Sequence, residues 1–232
     1  PVILKNGETG STAIKITGNG YSGGVVGWVQ NCTVELQYVE KNDSINGTMY
    51  VGGLIGYAES TAADKPVNIK INNCAIAAFH VSQSSNNINQ SNCSGGIIGK
   101  YKTTDEDTES GLEISEVITK TAIRENSNEV QSFLRVEVWP YTNRDLYFYN
   151  GGIIGGIHGN NVNIHDIEFK KDRFKVNQVW NTNTSYTWDT QSAGTVAGAI
   201  VGKNIEISNI LLAGGRYAGT DAYGTAGTSG KT

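Results

Sequence analysis

The sequence predicts an all-β fold, a parallel β-solenoid of about five rungs with loop insertions. Three observations support this prediction: a glycine-rich phrase that recurs along the chain, a strand-like phrase that follows it, and the lack of any sustained helical period. The 232-residue chain contains 29 glycines but only 3 prolines and 1 methionine. Short runs of Val, Ile and Thr bounded by Gly and Asn are typical of strands joined by tight turns.

The glycine phrase reads Ser-Gly-Gly-Val-Val-Gly in its first copy. Five copies are found, at residues 22–27, 51–56, 94–99, 150–155 and 197–202. Their spacing is unequal, so we expect insertions that leave the solenoid at one fixed corner. Because glycine lacks a Cβ, each Gly-Gly pair permits positive φ and a close approach of the backbone.

The second phrase alternates Ile or Val with polar residues, which is the period of a strand with one buried face. Its copies are residues 67–76, 112–118, 162–169 and 204–212, and the first copy is merged with the glycine phrase as residues 28–34. An Asn or Asp after Ile-x-Ile predicts a sharp corner with left-handed dihedrals, and Asp166 takes this place in the fourth copy.

Such units must stack, because a single unit cannot bury its own apolar face. Aligning the corners predicts a column with one residue from each rung: Cys32, Cys74, Val117, Ile167 and Ile210. Two interpretations of the cysteines stay open. They are small buried hydrophobic residues, or Cys32 and Cys74 form a disulfide, since rungs ~4.8 Å apart suit the ~4.4–6.8 Å Cα separation of a disulfide. Cys93 could instead form a disulfide with either Cys32 or Cys74.

The glycine phrases, such as Gly52-Gly53-Leu54-Ile55-Gly56, resemble the GLUG motif repeat of large bacterial surface proteins and some secreted proteases. The resemblance covers all five copies, and the fifth departs from it with Ala199 in place of the second glycine. It implies a β-solenoid stalk or adhesin region. It implies no catalytic residues, because the motif is architectural.

Two regions are predicted: a solenoid over residues 1–213 and a Gly- and Thr-rich tail or linker over residues 214–232. A solenoid exposes an open strand edge at each end, and neither terminus offers an amphipathic helix to cover it. We therefore expect either a piece of a longer solenoid or ends that stack on other copies into a filament.

Aromatic residues concentrate in two insertions, at about residues 119–150 and 176–192. They could contact a glycan or a protein partner, or they could pack over the solenoid flank. The candidate contact residues are Trp139, Tyr141, Trp180 and Trp188. Six sequons also predict glycosylation on a secretory route, at Asn31, Asn42, Asn46, Asn89, Asn92 and Asn183.

Several classes of function are disfavoured. A net charge of −4 argues against nucleic acid, and no apolar run approaches the ~18 residues of a membrane span. His80, His158 and His165 lack metal-ligand spacing, and the acidic run 104–109 lacks the glycine of a calcium loop. The carboxylates of Asp166, Glu168 and Glu206 fall in equivalent strands, as in β-helix polysaccharide-degrading enzymes, but their pattern is that of solvated faces.

The sequence therefore predicts a non-enzymatic structural module, extracellular or on the cell surface, that needs no cofactor or metal. Its expected partners are copies of itself or flanking solenoid segments, as in a filament or an adhesin stalk. An alternative is an adhesin that binds carbohydrate or protein through the aromatic insertions. A third interpretation is a β-helix enzyme that degrades polysaccharide.

Overall fold

The computed structural model describes residues 2–5, 15–18, 20–41, 44–77, 80–85, 92–120, 134–140, 148–169, 174–179, 191–212 and 216–220. All regular structure in these ranges is β-strand, and all the pairs between named strands are parallel. The protein is a parallel β-solenoid, as predicted. No helix in the described ranges is long and apolar enough to cross a membrane.

Four parallel sheets, A to D, run along the solenoid. Sheet A contains β1 (Val2–Lys5), β5 (Thr33–Gln37), β10 (Asn68–Asn72), β15 (Gly111–Lys120), β19 (Val162–Phe169) and β23 (Ile205–Leu212), with β6 (Glu40–Lys41) and β11 (Ala75–Ala77) beside them. Sheet B contains β2 (Lys15–Thr17), β7 (Ser44–Gly47), β12 (His80–Ser85), β16 (Leu134–Pro140), β20 (Phe174–Val179) and β24 (Arg216–Thr220).

Sheets C and D complete the architecture. Sheet C contains β3 (Tyr21–Gly23), β8 (Tyr50–Gly52), β13 (Asn92–Gly95), β17 (Phe148–Gly151) and β21 (Gln191–Gly194). Sheet D contains β4 (Val26–Gln30), β9 (Ile55–Glu59), β14 (Ile98–Lys102), β18 (Ile154–His158) and β22 (Ala197–Val201). Each rung passes through the sheets in the order C, D, A, B. Rungs 1 to 5 begin at β3, β8, β13, β17 and β21, and β1 and β2 precede rung 1.

The core is built from columns of aliphatic residues that lie one above another on successive rungs. In sheet A, one such column contains Leu36, Ile71, Ile114 and Ile164, all fully buried. The period-two alternation places these side chains inside and their neighbours outside, so each rung supplies the apolar partner that the next rung needs.

A left-handed corner exists in all five rungs, at the predicted place in rungs 2 to 5 but not in rung 1, where the alignment predicted Asn31. It divides the sheet A segment of each rung, and its residues are Tyr38, Asn73, Glu116, Asp166 and Asn209, with φ of 54°, 52°, 53°, 54° and 49°. The placement of Asp166 at this corner is confirmed. In rung 1 the corner is Tyr38, which the sequence pattern does not reveal because Tyr rarely adopts this conformation.

The register corrects the predicted column of buried residues at its first member. The amide of Asn68 donates to the carbonyl of Cys32, so Cys32 lies level with Val67. The amide of Ala75 donates to the carbonyl of Val39, which places Val39 beside Cys74. The column is therefore Val39, Cys74, Val117, Ile167 and Ile210.

The interpretation of Cys32 and Cys74 as a disulfide is consequently wrong. All three cysteines are free: Cys32 is exposed, whereas Cys74 and Cys93 are buried. Cys74 belongs to the main hydrophobic core, which agrees with its other interpretation as a small buried hydrophobic residue.

The structure also corrects the predicted alignment of the first and fifth copies of the repeat. Residues 28–30 belong to β4 in sheet D, so the first copy of the strand phrase is β5. Gly194 pairs with Gly151 and Ala197 with Ile154, so the fifth glycine phrase is residues 193–198 and begins four residues before the predicted one. Thr195, and not Ala199, replaces the second glycine.

Each glycine phrase turns the chain from sheet C into sheet D. A Cβ on Gly95 would lie 1.9 Å from the carbonyl oxygen of Ile98, and a Cβ on Gly99 would lie 2.4 Å from the carbonyl oxygen of Gly56 in the rung below. Close approach therefore demands these glycines. Positive φ does not, because Gly20 and Gly202, the described glycines with positive φ, lie outside the phrases.

Two further expectations need correction. The connections between sheets A and B, between B and C, and between D and A all vary in length from rung to rung. The insertions therefore leave the solenoid at several corners and not at one fixed corner. The solenoid also extends beyond residue 213, because β24 pairs with β20 in sheet B. Residues 221–232 of the predicted tail lie outside the described ranges.

Candidate functional site

An aromatic cluster covers the outer face of sheets C and D in rungs 1 and 2. Tyr21 and Tyr50 precede the glycine phrases, and Trp28 and Tyr57 follow them. These residues alternate with core residues such as Val29, so their side chains lie on the opposite face of the strands. The rungs align Tyr21 with Tyr50 and Trp28 with Tyr57.

The four rings contact one another closely. Tyr21 and Tyr50 are stacked with ring centroids 5.3 Å apart and planes inclined by 3°. Tyr57 is tilted against both, at 4.7 Å from Tyr50 and 5.0 Å from Tyr21, and Trp28 is tilted against Tyr21 at 5.7 Å. Tyr50 and Tyr57 are buried by these contacts, whereas half of Trp28 stays exposed, at 50%.

Glu59 links the ring cluster to the polar edge of sheet D. Its Oε1 accepts hydrogen bonds from Trp28 Nε1, at 3.2 Å, and from Gln30 Nε2, at 3.0 Å. Its Oε2 accepts a 2.8 Å bond from the Tyr57 hydroxyl. Beside them, Asn31 and Thr61 are joined by reciprocal bonds, of which the amide of Thr61 to Asn31 Oδ1 measures 2.9 Å.

The phenols of Tyr57 and Tyr21 are held in the neutral form. Burial raises the pKa of Tyr57, and the hydrogen bond to Glu59 raises it further because it favours the protonated hydroxyl. Burial also raises the pKa of Tyr21, with smaller contributions from Tyr50 and Glu59. Both therefore act only as neutral hydroxyls at physiological pH.

The character of this face changes at rung 3. Lys100 occupies the place of Tyr57, with its Nζ 4.8 Å from the Tyr50 ring centroid and 3.3 Å from the Tyr50 hydroxyl. Cys93 lies in the column of Tyr50, and burial raises its pKa to about 12, although the charge of Lys100 opposes this. Burial, Lys100 and Lys102 all lower the pKa of His158 in rung 4.

The sequence pattern pointed to aromatic contacts in the insertions and not to this cluster. Trp139 lies in β16 of sheet B, where it pairs with Ser84. Tyr141, Trp180 and Trp188 lie outside the described ranges. A signal for the cluster was present, because an aromatic residue directly precedes and directly follows the glycine phrase in both of the first two copies.

Asp166 and Glu168, two of the carboxylates considered above for a polysaccharide-degrading enzyme, both lie in β19. They line a groove of about 550 Å³ that follows the left-handed corners, near Asn73 and Leu211. Asp166 accepts hydrogen bonds from His165 and Asn209, which lower its pKa. Within the described ranges, no group of three or more His, Cys, Asp or Glu could hold a metal ion.

The acidic run 104–109 forms a compact turn around Asp107. This side chain is fully buried, and its carboxylate accepts bonds from the amides of Glu109 and Ser110 and from the Ser110 hydroxyl. Burial raises the pKa of Asp107, but these hydrogen bonds outweigh it and the net shift is downward. Asp107 is therefore a structural acceptor.

The sequons differ in their surroundings. Asn92 is fully buried in β13, so a glycan on its amide is incompatible with the folded rung. Asn31 holds Thr61 through its side chain, and Asn46 lies in β7, which pairs with β2 and β12. Asn42, Asn89 and Asn183 lie outside the described ranges.

The final rung exposes residues whose counterparts in the preceding rung belong to the core. Ile200 is 49% exposed, although its partner Ile157 in rung 4 is fully buried. The same contrast is found in β23, where three residues are only partly buried although their partners in β19 are all buried: Ile205, Ile207 and Ile210. Strands β22 and β23 are the last members of sheets D and A among the described strands.

Comparisons with protein-family models, with curated proteins and with solved structures find no match.

Proposed function

We propose that the protein is a structural module of an extracellular or cell-surface assembly, which stacks end to end with another parallel β-rung. The observation that carries this proposal is the exposure of Ile200, Ile205, Ile207 and Ile210 at the end of the described solenoid. These side chains are of the kind that lie inside the preceding rung. Covering them with a further rung removes apolar surface from water and is therefore favourable.

The exposed end also offers backbone groups for pairing. A parallel strand at the edge of a sheet presents unpaired N–H and C=O groups to any chain of the same geometry. The opposite end of the solenoid also presents an apolar surface and a strand edge. Val25 and Val26 of rung 1 are only partly buried, and β4 is the first strand of sheet D among the described strands. A second copy therefore offers a matching parallel edge, and repeated contact of this type produces a filament.

The surrounding features favour a role without catalysis. The carboxylate of Asp166 in the sheet A groove is bound to neighbouring side chains, and the buried Asp107 binds its own turn. The glycine phrases resemble a motif of surface stalks, and sequons such as Asn31 and Asn46 suit a secreted chain. A flanking rung of a longer solenoid is the alternative to a second copy as the cover of the exposed end.

The test uses two neighbouring residues of β22. Ile200 aligns with the core residue Ile157, whereas Val201 aligns with His158 on the outer face and is 61% exposed. Negative-stain microscopy and sedimentation of the purified chain should show end-to-end particles that grow with concentration. Ile200→Asp should abolish them, because it buries a carboxylate at the contact, and Val201→Asp should not.

Circular dichroism of both variants controls for folding, and Ile207→Thr offers a milder change at the same end. Particles that persist in Ile200→Asp and Ile207→Thr contradict the proposed contact. A chain that stays monomeric at high concentration rules out the second copy as the partner.

A further inference from the structure

Trp28 is an exposed ring in a fixed orientation. Half of its surface is open to solvent, while its indole N–H is bound by Glu59 and the ring lies against Tyr21. Glu59 is itself fixed by Tyr57, whose ring is buried in the cluster below. An exposed aromatic side chain that is held in one rotamer loses little conformational entropy when it binds a ligand.

Polar groups surround the edge of this ring. Gln30 is exposed beside it, and its amide nitrogen donates to Glu59, so its carbonyl oxygen is available as an acceptor. A carboxylate has about four acceptor positions, and the described donors to Glu59 are Trp28, Gln30 and Tyr57. The open acceptor position is therefore on Oε2, which accepts one bond from Tyr57, and not on Oε1, which accepts bonds from both Trp28 and Gln30.

We propose that Trp28, Gln30 and Glu59 form a binding site for a neutral saccharide. The apolar C–H face of a pyranose packs on the exposed indole, and hydroxyl groups at the ring edge donate to Glu59 and Gln30. A flat apolar surface with acceptors at its rim matches this ligand, which is apolar on its faces and rich in donors at its perimeter.

Charge selects among related ligands. The carboxylate of Glu59 repels phosphate groups and uronic acids and favours neutral or amino sugars. The site is formed once among the described rungs, because the positions equivalent to Trp28 are Tyr57, Lys100, Gly156 and Ala199. This binding site is separate from the proposed end-to-end assembly, since it lies on the flank of rungs 1 and 2 and not at the exposed end.

The experiment labels the 4 tryptophans with ¹⁵N and follows their indole N–H signals. The probes are hexasaccharides of β-1,4-glucose, α-1,4-glucose, β-1,4-mannose and β-1,4-N-acetylglucosamine, with a hexamer of galacturonic acid as the charged comparison. We expect at least one neutral hexasaccharide to move the Trp28 signal, which Trp28→Phe assigns, and galacturonate to leave it in place.

Calorimetry on variants tests the residues. Trp28→Ala should weaken the affinity for that hexasaccharide by about tenfold or more, equivalent to 1.4 kcal/mol, and the matched variant Trp139→Ala should not weaken it. Glu59→Ala should also weaken the affinity for that hexasaccharide, because it removes an acceptor for the sugar hydroxyls. It should speed the hydrogen exchange of the Trp28 indole N–H even without sugar, because Glu59 accepts the hydrogen bond from that group.

Three results would overturn the inference. The Trp28 signal stays in place with every neutral hexasaccharide at millimolar concentration, Trp28→Ala binds as well as the unchanged protein, or Trp139→Ala removes the binding instead. If Trp28→Ala weakens self-association and no sugar binds, the ring belongs to a protein interface and the saccharide proposal is wrong. The assembly proposal is judged separately, by Ile200→Asp.

Discussion

Tyr38 and Asn73 occupy the same corner on neighbouring rungs, and both have left-handed backbone conformations, with φ of 54° and 52°. Asparagine tolerates this conformation because its short amide can bond nearby backbone, whereas tyrosine is strained there. Rungs 2 and 5 carry Asn at this corner and rung 1 carries Tyr. The corner of rung 1 is therefore held by its neighbours and not by its own preference.

Tyr38→Asn should raise the free energy of unfolding by about 1 kcal/mol, because it relieves the left-handed strain. The ring is mostly exposed, so its loss costs little burial. Chemical denaturation followed by circular dichroism measures the change. Tyr38→Ala is the control: it removes the ring but keeps the strain, and an equal gain from alanine would refute the explanation.

Gly95→Ala should lower the free energy of unfolding by about 3 kcal/mol. Its Cβ would lie 1.9 Å from the Ile98 carbonyl oxygen and 2.5 Å from the Gly155 amide nitrogen, so the backbone of two rungs must move. Gly111→Ala is the matched control, because the nearest atom to its Cβ is Asn68 Oδ1 at 3.4 Å. Thermal unfolding should separate the two variants, and equal midpoints would contradict the requirement for glycine at this corner.

The three thiols should react with iodoacetamide at very different rates. Cys32 is exposed and should be modified quickly in the folded protein, whereas Cys74 and Cys93 should react only after unfolding. Burial raises the pKa of both buried thiols, which leaves little thiolate to attack the reagent. Peptide mass spectrometry reads out each site. A peptide that contains Cys32 linked to Cys74 would show that Val39 does not lie beside Cys74.

Acidification should destabilise the fold through His158. Its Nε2 is buried without a hydrogen-bond partner in the described part of the chain, and its pKa is lowered by burial and by Lys100 and Lys102. The unfolded chain, with an ordinary pKa of about 6.5, therefore binds the proton more readily. This contribution to stability is present above that pKa and is lost as the pH falls below it.

His158→Gln should flatten the dependence of the unfolding midpoint between about pH 7 and pH 5. His165→Gln serves as the comparison, because His165 lies on the outer face of sheet A beside Asp166. If the unchanged protein and His158→Gln lose stability equally over this range, His158 is not the group that titrates.

Much of the fold follows from local chemistry that the sequence makes visible. Gly52, Gly95 and Gly151 mark a corner where no Cβ fits, and Ile69 and Ile71 mark the strand that follows. The glycines at the corner and the alternation along the strand are both properties of a single rung. They predicted the parallel solenoid and the left-handed corners, including Asp166.

Register between rungs could not be obtained in the same way. Cys32 follows an asparagine with positive φ, as Cys74 does, but the backbone bonds of Asn68 and Ala75 place Val39 beside Cys74. In rung 5, Gly194 and Gly198 both precede aliphatic residues in the sequence, so either could open the glycine phrase. Only the pairing of Gly194 with Gly151 shows which of the two does so. The aromatic cluster was missed for a similar reason, since Trp28 and Glu59 meet only across two stacked rungs.

The connection between sheets C and D has the same length in all five rungs, while the other connections vary widely. The height of the molecule is thus independent of the number of residues that each rung uses. It increases by about 4.8 Å for each glycine phrase, so a chain with longer connections becomes broader and a chain with one more phrase becomes taller. The number of glycine phrases therefore sets the length of the solenoid, and residues can be added to the other connections without changing that length.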